Sequence, residues 1–333
     1  MKIIESLDQL NNLGGGGSVL AIGHFDGVHV GHQAIMRQGR ALADQHHLPF
    51  CVMTFDPAPV KVLRPELAPR ILTPTKLKQR LLGDLGVDTL IVIPTSAEFL
   101  AQEPEDFVRE VVVGRLHARH IVEGGTFGFG RRRSGSVQTL TELGAEHGFA
   151  VHSVTSASLE LEGFDEPVAV SSTFVRQEIA ECNFGTVREC LGRYYELPGT
   201  VTAAAGRGHR IGFPTANLQL YNDDQLVPQD GVYAGYVRLG RDLHETWASR
   251  DYRPAAISIG SCETFADGQW QIEAHILDYE ADKDALYEQH LLMGLVRRTR
   301  AQTKFDSAEE LIARIKRDCE EVRLALLSDP PPA

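Results

Sequence analysis

The chain has 333 residues, of which 43% are hydrophobic and 23% charged, an ordinary globular composition. Its formal net charge of −12 argues against a nucleic-acid partner, because nucleic-acid binders normally carry a basic surface. No apolar run reaches the roughly 18 residues needed to span a bilayer. The five cysteines are scattered without a CxxC pair, which is typical of reduced thiols. We therefore expect a soluble, cytoplasmic protein that binds no membrane, and its length favours two domains.

The first half of the chain alternates between strand and helix patterns. The patterns predict strands over 18–23, 50–55, 88–93, 119–124 and 148–154, and helices over 32–46, 73–86 and 103–116. Strands that alternate with helices of this length predict an α/β domain, with a Rossmann-like parallel sheet covered on both faces.

The pattern changes near residue 185 to short β-rich runs separated by turn residues. Runs at 231–239, 253–261 and 269–277 predict an antiparallel barrel or sandwich. Residues 306–327 predict a terminal helix, with a capping box at Ser307 and Glu310. One face of that helix carries an apolar stripe of Leu311, Ile315, Cys319, Val322 and Leu326. We place the domain boundary between residues 185 and 186.

Histidines and glycines follow the first apolar strand, in "IGHFDGVHVGH". Open parallel sheets bind ligands at the carboxyl ends of their strands, and the next helix directs its N–H groups there. Gly31 would let a phosphate approach the backbone, while His29 and His32 could donate to phosphoryl oxygens. This arrangement suits displacement of pyrophosphate at the α-phosphorus of a nucleoside triphosphate. Two alternatives stay open: a helix-start histidine pair without a ligand, and a two-histidine metal site near Asp26 that lacks a clear third ligand.

A second stretch, "VSSTFVRQEI", predicts a loop that leads into a helix. Ser172 or Thr173 would cap that helix, and Arg176 would lie one turn further, near the same phosphates. The alternative is an ordinary N-cap followed by a surface arginine.

The second half contains another set of polar residues, in "GFPTANL" and "QWQIEAHIL". Thr215 and Asn217 would alternate on a strand and present two oxygens to Mg²⁺ on ATP phosphates. Glu273 lies on the polar face of its strand, where a carboxylate could take a hydroxyl proton. A polar strand end and a solvated strand face are the alternatives.

The stretches "IGHFDGVHVGHQ", "TFDPAP", "GFGRRRSG" and "SSTFVR" resemble, in this order, the adenylyltransferase module of bacterial bifunctional riboflavin kinase/FAD synthetases. The resemblance implies transfer of AMP from ATP to the phosphate of FMN, which yields FAD and pyrophosphate. It implies ATP contacts at Gly23, Phe25, Asp26, Gly27, His29, Gly31, His32, Ser172, Thr173 and Arg176. It implies a flavin-side loop with Gly124, Phe127 and Gly130. The chain departs from the family at Ala58, usually histidine, and at Thr126, usually aspartate or asparagine.

The stretches "GFPTANL", "GVYAGYV" and "IEAHILD" resemble the riboflavin kinase module of the same family. That resemblance implies a six-stranded antiparallel β-barrel with a terminal helix, which transfers the γ-phosphate of ATP to the riboflavin 5′-hydroxyl. Thr215 and Asn217 would hold Mg-ATP, Gly212 would contact ATP, and Glu273 would be the catalytic base. Departures from the family occur at Ser258, Cys262, Glu263 and Glu288.

Three hypotheses follow from the two sets of motifs. The main one is a bifunctional enzyme whose small-molecule substrates are ATP, riboflavin and FMN, with Mg²⁺ as its cofactor and with an oligomer possible. The second is an FMN adenylyltransferase that has a degenerate kinase barrel. The third is a non-catalytic regulator that binds flavin and ATP.

Overall fold

The computed structural model describes residues 1–6, 9, 16–202, 211–261, 270–279 and 286–331. These residues form two compact units, Met1–Ser172 and Thr173–Ala333. Two sequence departures, Cys262 and Glu263, lie outside the described residues.

The first unit is built around a parallel sheet. The strands of this unit are β1 (Lys2–Ile4), β2 (Ser18–Ile22), β3 (Phe50–Asp56), β4 (Thr89–Pro94), β5 (Ala118–Gly124), β6 (Gly128–Phe129), β7 (Gly135–Ser136), β8 (Ala150–Val154), β9 (Ser158–Leu159) and β10 (Val168–Ala169). Six of them form the main sheet in the order β1-β4-β3-β2-β5-β8, and all neighbouring pairs are parallel. The chain leaves β2 toward β3 and returns on its other side as β5, so the strand order reverses at β2. Ligands bind at such reversal points in open parallel sheets.

Helices cover both faces of this sheet, as predicted. The helices of the unit are α1 (Val30–His46), α2 (Pro59–Leu63), α3 (Thr75–Asp84), α4 (Ala97–Leu100), α5 (Pro104–Phe107) and α6 (Val137–His147). Successive residues of β2 alternate between two cores: Leu20 packs with the core that contains Leu140 of α6, and Ala21 with the core that contains Met36 of α1. The helix predicted over 103–116 is shorter, because α5 passes into a π-helical stretch at Val108–Val113.

The second unit is a closed antiparallel barrel rather than a sandwich. Its strands are β11 (Tyr195–Thr202), β12 (Ala216–Leu220), β13 (Gly231–Gly240), β14 (Arg253–Ser261), β15 (Trp270–Ile276) and β16 (His290–Arg300), and their order is β11-β12-β15-β14-β13-β16. Ile257 and Ala274 are paired directly across β14 and β15, and both are fully buried. The six-stranded barrel that the resemblance implied is confirmed.

The helices of the second unit are α7 (Ser172–Ala180, which begins at the last residue of the first unit), α8 (Phe184–Leu191), α9 (Leu243–Ala248) and α10 (Ala308–Leu327). In α10, Val322 and Leu326 share one buried cluster with Tyr194 and Tyr236, as the apolar stripe predicted. The Ser307 hydroxyl accepts the Glu310 backbone N–H at 3.2 Å, which confirms the cap, but the Glu310 carboxylate accepts the Asp306 N–H at 3.3 Å and not that of Ser307, so the reciprocal half of the predicted capping box is absent.

Residues 173–185, which follow the sheet and precede the barrel, contact the barrel. The Gln229 side-chain amide donates to the Ala180 carbonyl at 2.6 Å, and the Phe184 ring meets the Tyr233 ring edge-on with 5.7 Å between centroids. Residues 173–185 therefore belong to the second compact unit. The boundary at 185/186 stays a prediction about the functional modules.

Candidate active sites

The loop between β2 and α1 is the most contorted part of the first unit. Phe25 has φ 49° and Val28 has φ 43°, and Gly27 between them has φ 85°. A non-glycine residue in the left-handed region costs roughly 1–2 kcal/mol, so this conformation persists because surrounding contacts impose it.

Asp26 provides those contacts. Its side chain is 2% exposed, and its carboxylate accepts the backbone N–H groups of Leu72 and Thr73 at 3.0 Å. The Ser172 hydroxyl donates to the Asp26 carbonyl oxygen at 2.8 Å. These bonds tie the loop to the segment before α3 and to Ser172, the last residue of the first unit. Helix α7 begins at Ser172, so Ser172 and Thr173 are its first two residues and neither caps it, contrary to the prediction.

His29 and His32 lie together at the start of α1, as predicted. His29 is the N-cap, and its Nδ1 accepts the His32 backbone N–H at 3.4 Å. The two rings stack with centroids 3.6 Å apart. Because Nδ1 of His29 accepts this hydrogen bond, Nε2 is the ring nitrogen left to act as a donor. A Cβ at Gly31 would lie 3.1 Å from the His29 ring, so a larger residue would crowd the pair.

His32 is held in its neutral form. Burial lowers its pKa well below the ordinary histidine value, and the nearby His29, Lys78 and His24 lower it further. In the described part of the chain, His32 Nδ1 has no hydrogen-bond partner. Negative charge arriving beside this ring would raise its proton affinity.

Two buried charged residues near this loop were not identified from the sequence. Lys78 on α3 is 4% exposed, and its ammonium donates to the His24 carbonyl at 2.8 Å. Glu123 on β5 is 2% exposed and accepts the Ile22 N–H at 2.6 Å. Burial raises the pKa of Glu123 well above its ordinary value, so the site favours the neutral carboxyl. The available signal for Glu123 was a charge inside a strand buried on both faces, whereas Lys78 fits the polar side of an amphipathic helix and gave no signal.

The loop after β5 carries the predicted flavin-side residues. The Phe127 N–H donates to the Gly124 carbonyl at 2.9 Å, and the Phe127 ring stacks on Phe129 with centroids 5.6 Å apart. Gly130 has φ 68°, and a Cβ there would lie 2.8 Å from Pro104. Because β2 and β5 are neighbouring parallel strands, this loop and the histidine loop leave the same edge of the sheet.

The barrel brings Asn217 and Glu273 together. The two residues are direct partners across β12 and β15, and Ser258 is the direct partner of Glu273 on β14. Residues opposite each other in antiparallel strands have Cβ atoms about 4.5–5.5 Å apart on one face. Strand β12 begins at Ala216, so Thr215 lies immediately before the strand and not on it, contrary to the prediction.

Asn217 has an unusual environment for an amide. The residue is 7% exposed, and its Oδ1 has no hydrogen-bond partner among the described residues. A buried carbonyl oxygen without a partner costs about 1–3 kcal/mol, and buried polar groups are rarely left this way.

The segment that leads to Thr215 is attached to β15. His275 Nδ1 lies 2.9 Å from the Pro214 carbonyl oxygen, and Phe213 meets the His275 ring edge-on at 5.3 Å. Gly212 precedes this contact with φ 85°. Glu273 lies two residues before His275, on the same face of β15, so the "FPTAN" segment is held beside the candidate base.

The hydrogen bonds and ring contacts described above do not include every site residue that the sequence predicted. Thr173 and Arg176 belong to the second unit, and their part in the nucleotide site stays a prediction. Glu288 lies in the turn before β16, where its N–H donates to the Val201 carbonyl. Among the described residues, no three histidine, cysteine, aspartate or glutamate side chains form a group that could hold a metal.

Comparison with known proteins gives the same two modules. Residues 14–172 match a family model described as FAD synthetase, and residues 191–326 match one described as riboflavin kinase. The bifunctional riboflavin kinase/FMN adenylyltransferase of Escherichia coli K12 is 34% identical over 96% of both chains. This chain belongs to the bifunctional riboflavin kinase/FMN adenylyltransferase family. The family protein of Listeria monocytogenes is also 34% identical, over 92% of this chain and 91% of that protein.

Among solved structures, a Streptococcus pneumoniae chain described as a macrolide-efflux protein matches with a TM-score of 0.80 and 29% identity. The match covers 97% of this chain and 99% of that one. In the part of this chain that the structure describes, no helix has both the length and the apolar character needed to cross a membrane.

Three departures from the family can be followed in the structure. Ser258 accepts the Gln302 side-chain amide at 2.9 Å, so a second polar residue accompanies the serine beside Glu273. The Thr126 backbone carbonyl accepts a hydrogen bond from the Arg133 guanidinium at 3.1 Å, which links two residues of the flavin-side loop. Ala58 is the N-cap of α2, and its side chain makes no capping hydrogen bond.

Proposed function

We propose that the second unit phosphorylates riboflavin to FMN and that the first unit adenylylates FMN to FAD, each with ATP. The proposal rests on one observation: each of the two compact units contains its own polar site and matches its own family model. The stacked His29 and His32 lie at the strand reversal of the sheet, and the paired Asn217 and Glu273 lie on the barrel. The corresponding modules span residues 1–185 and 186–333, and the protein acts in the cytoplasm.

In the first reaction site, a phosphate oxygen of FMN attacks the α-phosphorus of ATP, and pyrophosphate leaves. His29 donates from Nε2, and His32 donates to the phosphoryl oxygens as their charge increases. The first turn of α1 adds free N–H groups and the positive end of its dipole. The contorted loop at Phe25, Gly27 and Val28 fixes these donors before ATP arrives. The chain needs to supply no nucleophile, because FMN carries it.

FMN enters beside the loop after β5. Gly124 and Gly130 shape this loop, and Phe127 offers an aromatic face to the flavin ring. Gly23 belongs to the ATP side, where a Cβ would lie 2.9 Å from the Phe25 ring. Thr173 and Arg176 complete the phosphate contacts that the family pattern implies.

In the second reaction site, Glu273 takes the proton of the riboflavin 5′-hydroxyl as that oxygen attacks the γ-phosphorus and ADP leaves. The Thr215 hydroxyl and Asn217 Oδ1 are the groups of the chain that would hold Mg²⁺, which would supply charge neutralisation of the ATP phosphates, and Gly212 would lie beside the ATP. The unpartnered Oδ1 fits this role, because hard cations prefer oxygen ligands and the atom has an unused acceptor.

Chromatography of the reaction products tests the proposal. Purified protein given riboflavin, ATP and Mg²⁺ should form FMN first and then FAD. FAD formed only from added FMN would indicate a degenerate kinase barrel. Tight flavin binding without turnover would indicate a regulator and would refute the proposal.

A further inference from the structure

Lys78 is a buried cation that the reaction described above does not use. It lies on α3 and is 4% exposed, whereas lysine is almost never fully buried without a partner. Burial lowers the pKa of its ammonium, and the nearby Asp26 and Asp56 oppose that effect. A side chain held in such a position calls for a specific ligand.

The ammonium is only partly satisfied by the protein. Lys78 Nζ donates to the His24 carbonyl at 2.8 Å, and this is its one hydrogen bond among the described residues. An ammonium has three N–H donors, so two are left for another acceptor. Asp26 uses its carboxylate on the Leu72 and Thr73 backbone, and Asp56 accepts the Thr75 hydroxyl at 2.6 Å.

The charge around Lys78 also favours an anionic ligand. The imidazoles of His24, His29 and His32 lie in the same cluster, and Lys78 is one of the charges that hold His32 neutral. The α1 N-terminus adds positive potential at the same loop. A triphosphate would bring negative charge to this cluster of one buried cation and several N–H donors, and its oxygens could accept the two remaining N–H donors of Lys78.

We propose that Lys78 donates to phosphoryl oxygens of the ATP whose α-phosphorus is attacked, which makes it a third catalytic donor beside His29 and His32. The inference rests on the proposed FMN adenylyltransferase reaction. The bond from the FMN phosphate oxygen to the α-phosphorus forms, and the α–β bridging bond breaks. Pyrophosphate carries away the electron pair, and Lys78 keeps its proton throughout. The His24 carbonyl fixes the ammonium in place while the charge moves.

Variants at Lys78 test this role, with Lys76 as a matched control. Lys76 lies two residues earlier on the same helix and is exposed. Removal of one such donor typically lowers kcat about 10²–10³-fold, so Lys78→Met should lower FAD formation from FMN by at least 10²-fold. Lys78→Arg keeps the cation and should retain at least tenfold more activity than Lys78→Met. Lys76→Met should stay within about twofold of the wild type.

Riboflavin phosphorylation by the same proteins is the internal control, and it should be unchanged in all three variants. FAD formation by Lys78→Met close to that of Lys76→Met would overturn the proposal. If the wild type makes no FAD from FMN, the proposed function fails instead, so the two failures are distinguishable.

A measurement on the wild-type chain covers the case in which Lys78→Met does not fold. The lysines are labelled biosynthetically with ¹³C at Cε and observed by NMR, so all three N–H donors of Lys78 stay intact, and the Lys78 signal is assigned by its loss in Lys78→Arg. ATP with Mg²⁺, without flavin, should shift the Lys78 signal and leave the Lys76 signal in place. An unshifted Lys78 signal at saturating ATP would refute the contact.

Discussion

Asn217→Ala should separate stability from function in the barrel. The buried Oδ1 of Asn217 lacks a partner, and its removal relieves about 1–3 kcal/mol of desolvation cost. Loss of the packed amide atoms offsets this by about 1 kcal/mol. We therefore expect the free energy of unfolding of the barrel to stay within about 1 kcal/mol of the wild type, or to rise. Riboflavin phosphorylation should nevertheless collapse, because the change removes the proposed Mg²⁺ ligand.

Urea denaturation followed by tryptophan fluorescence isolates the barrel, since both tryptophans of the chain, Trp247 and Trp270, lie in the second unit. Mg-ATP at about 100 times its Kd should stabilise the wild-type barrel by about 2.7 kcal/mol, and Asn217→Ala should lose most of this. The control is Gln219→Ala, an exposed amide two residues along the same strand. An Asn217→Ala barrel that is destabilised by more than 2 kcal/mol and keeps the full Mg-ATP effect would refute the reasoning.

Three further changes test the rest of the account. His29→Ala should abolish FAD formation while FMN accumulates from riboflavin, and unchanged FAD output on chromatography would remove this histidine from the site. Glu273→Gln should block FMN formation and spare FAD formation from added FMN; continued phosphorylation would show that the proton goes elsewhere. Glu123 has a raised pKa when folded, so its contribution to stability is full below about pH 4.3 and is lost as pH rises through the folded value. In the wild type, the free energy of unfolding of the first unit should therefore fall with pH above about pH 5, and Glu123→Gln should make this fall smaller. Unfolding followed by circular dichroism measures it, and an unchanged slope would contradict a buried neutral carboxyl.

The sheet could be predicted from the sequence because its strands are buried on both faces and appear as continuous apolar runs. All five residues of β2 are buried, and the histidines follow it directly. The sequence therefore predicted the strand, the helix start and the position of His29 from local signals. Three of the barrel strands were also visible as short β-rich runs, and in β15 the burial of Ile272 and Ala274 beside the less buried Glu273 confirms the predicted alternation.

Contacts between distant segments could not be predicted in the same way. The pairing of Asn217 with Glu273 depends on the register between two strands that are far apart in sequence, and local patterns do not specify register. Lys78 matched the polar side of an ordinary amphipathic helix, so its burial emerged only when α3 packed beside the histidine loop. The π-helical stretch at Val108–Val113 likewise has no distinct local signal and follows from packing.

The most direct test of the central claim is to follow two positions of labelled phosphorus in ATP into the flavin product. The account predicts that wild-type protein given riboflavin and Mg²⁺ incorporates label from both [γ-³²P]ATP and [α-³²P]ATP into FAD. Cleavage of that FAD should place the γ-label in the FMN half and the α-label in the AMP half. FAD that carries only one of the two labels, or neither, would contradict two successive ATP-dependent reactions on this chain.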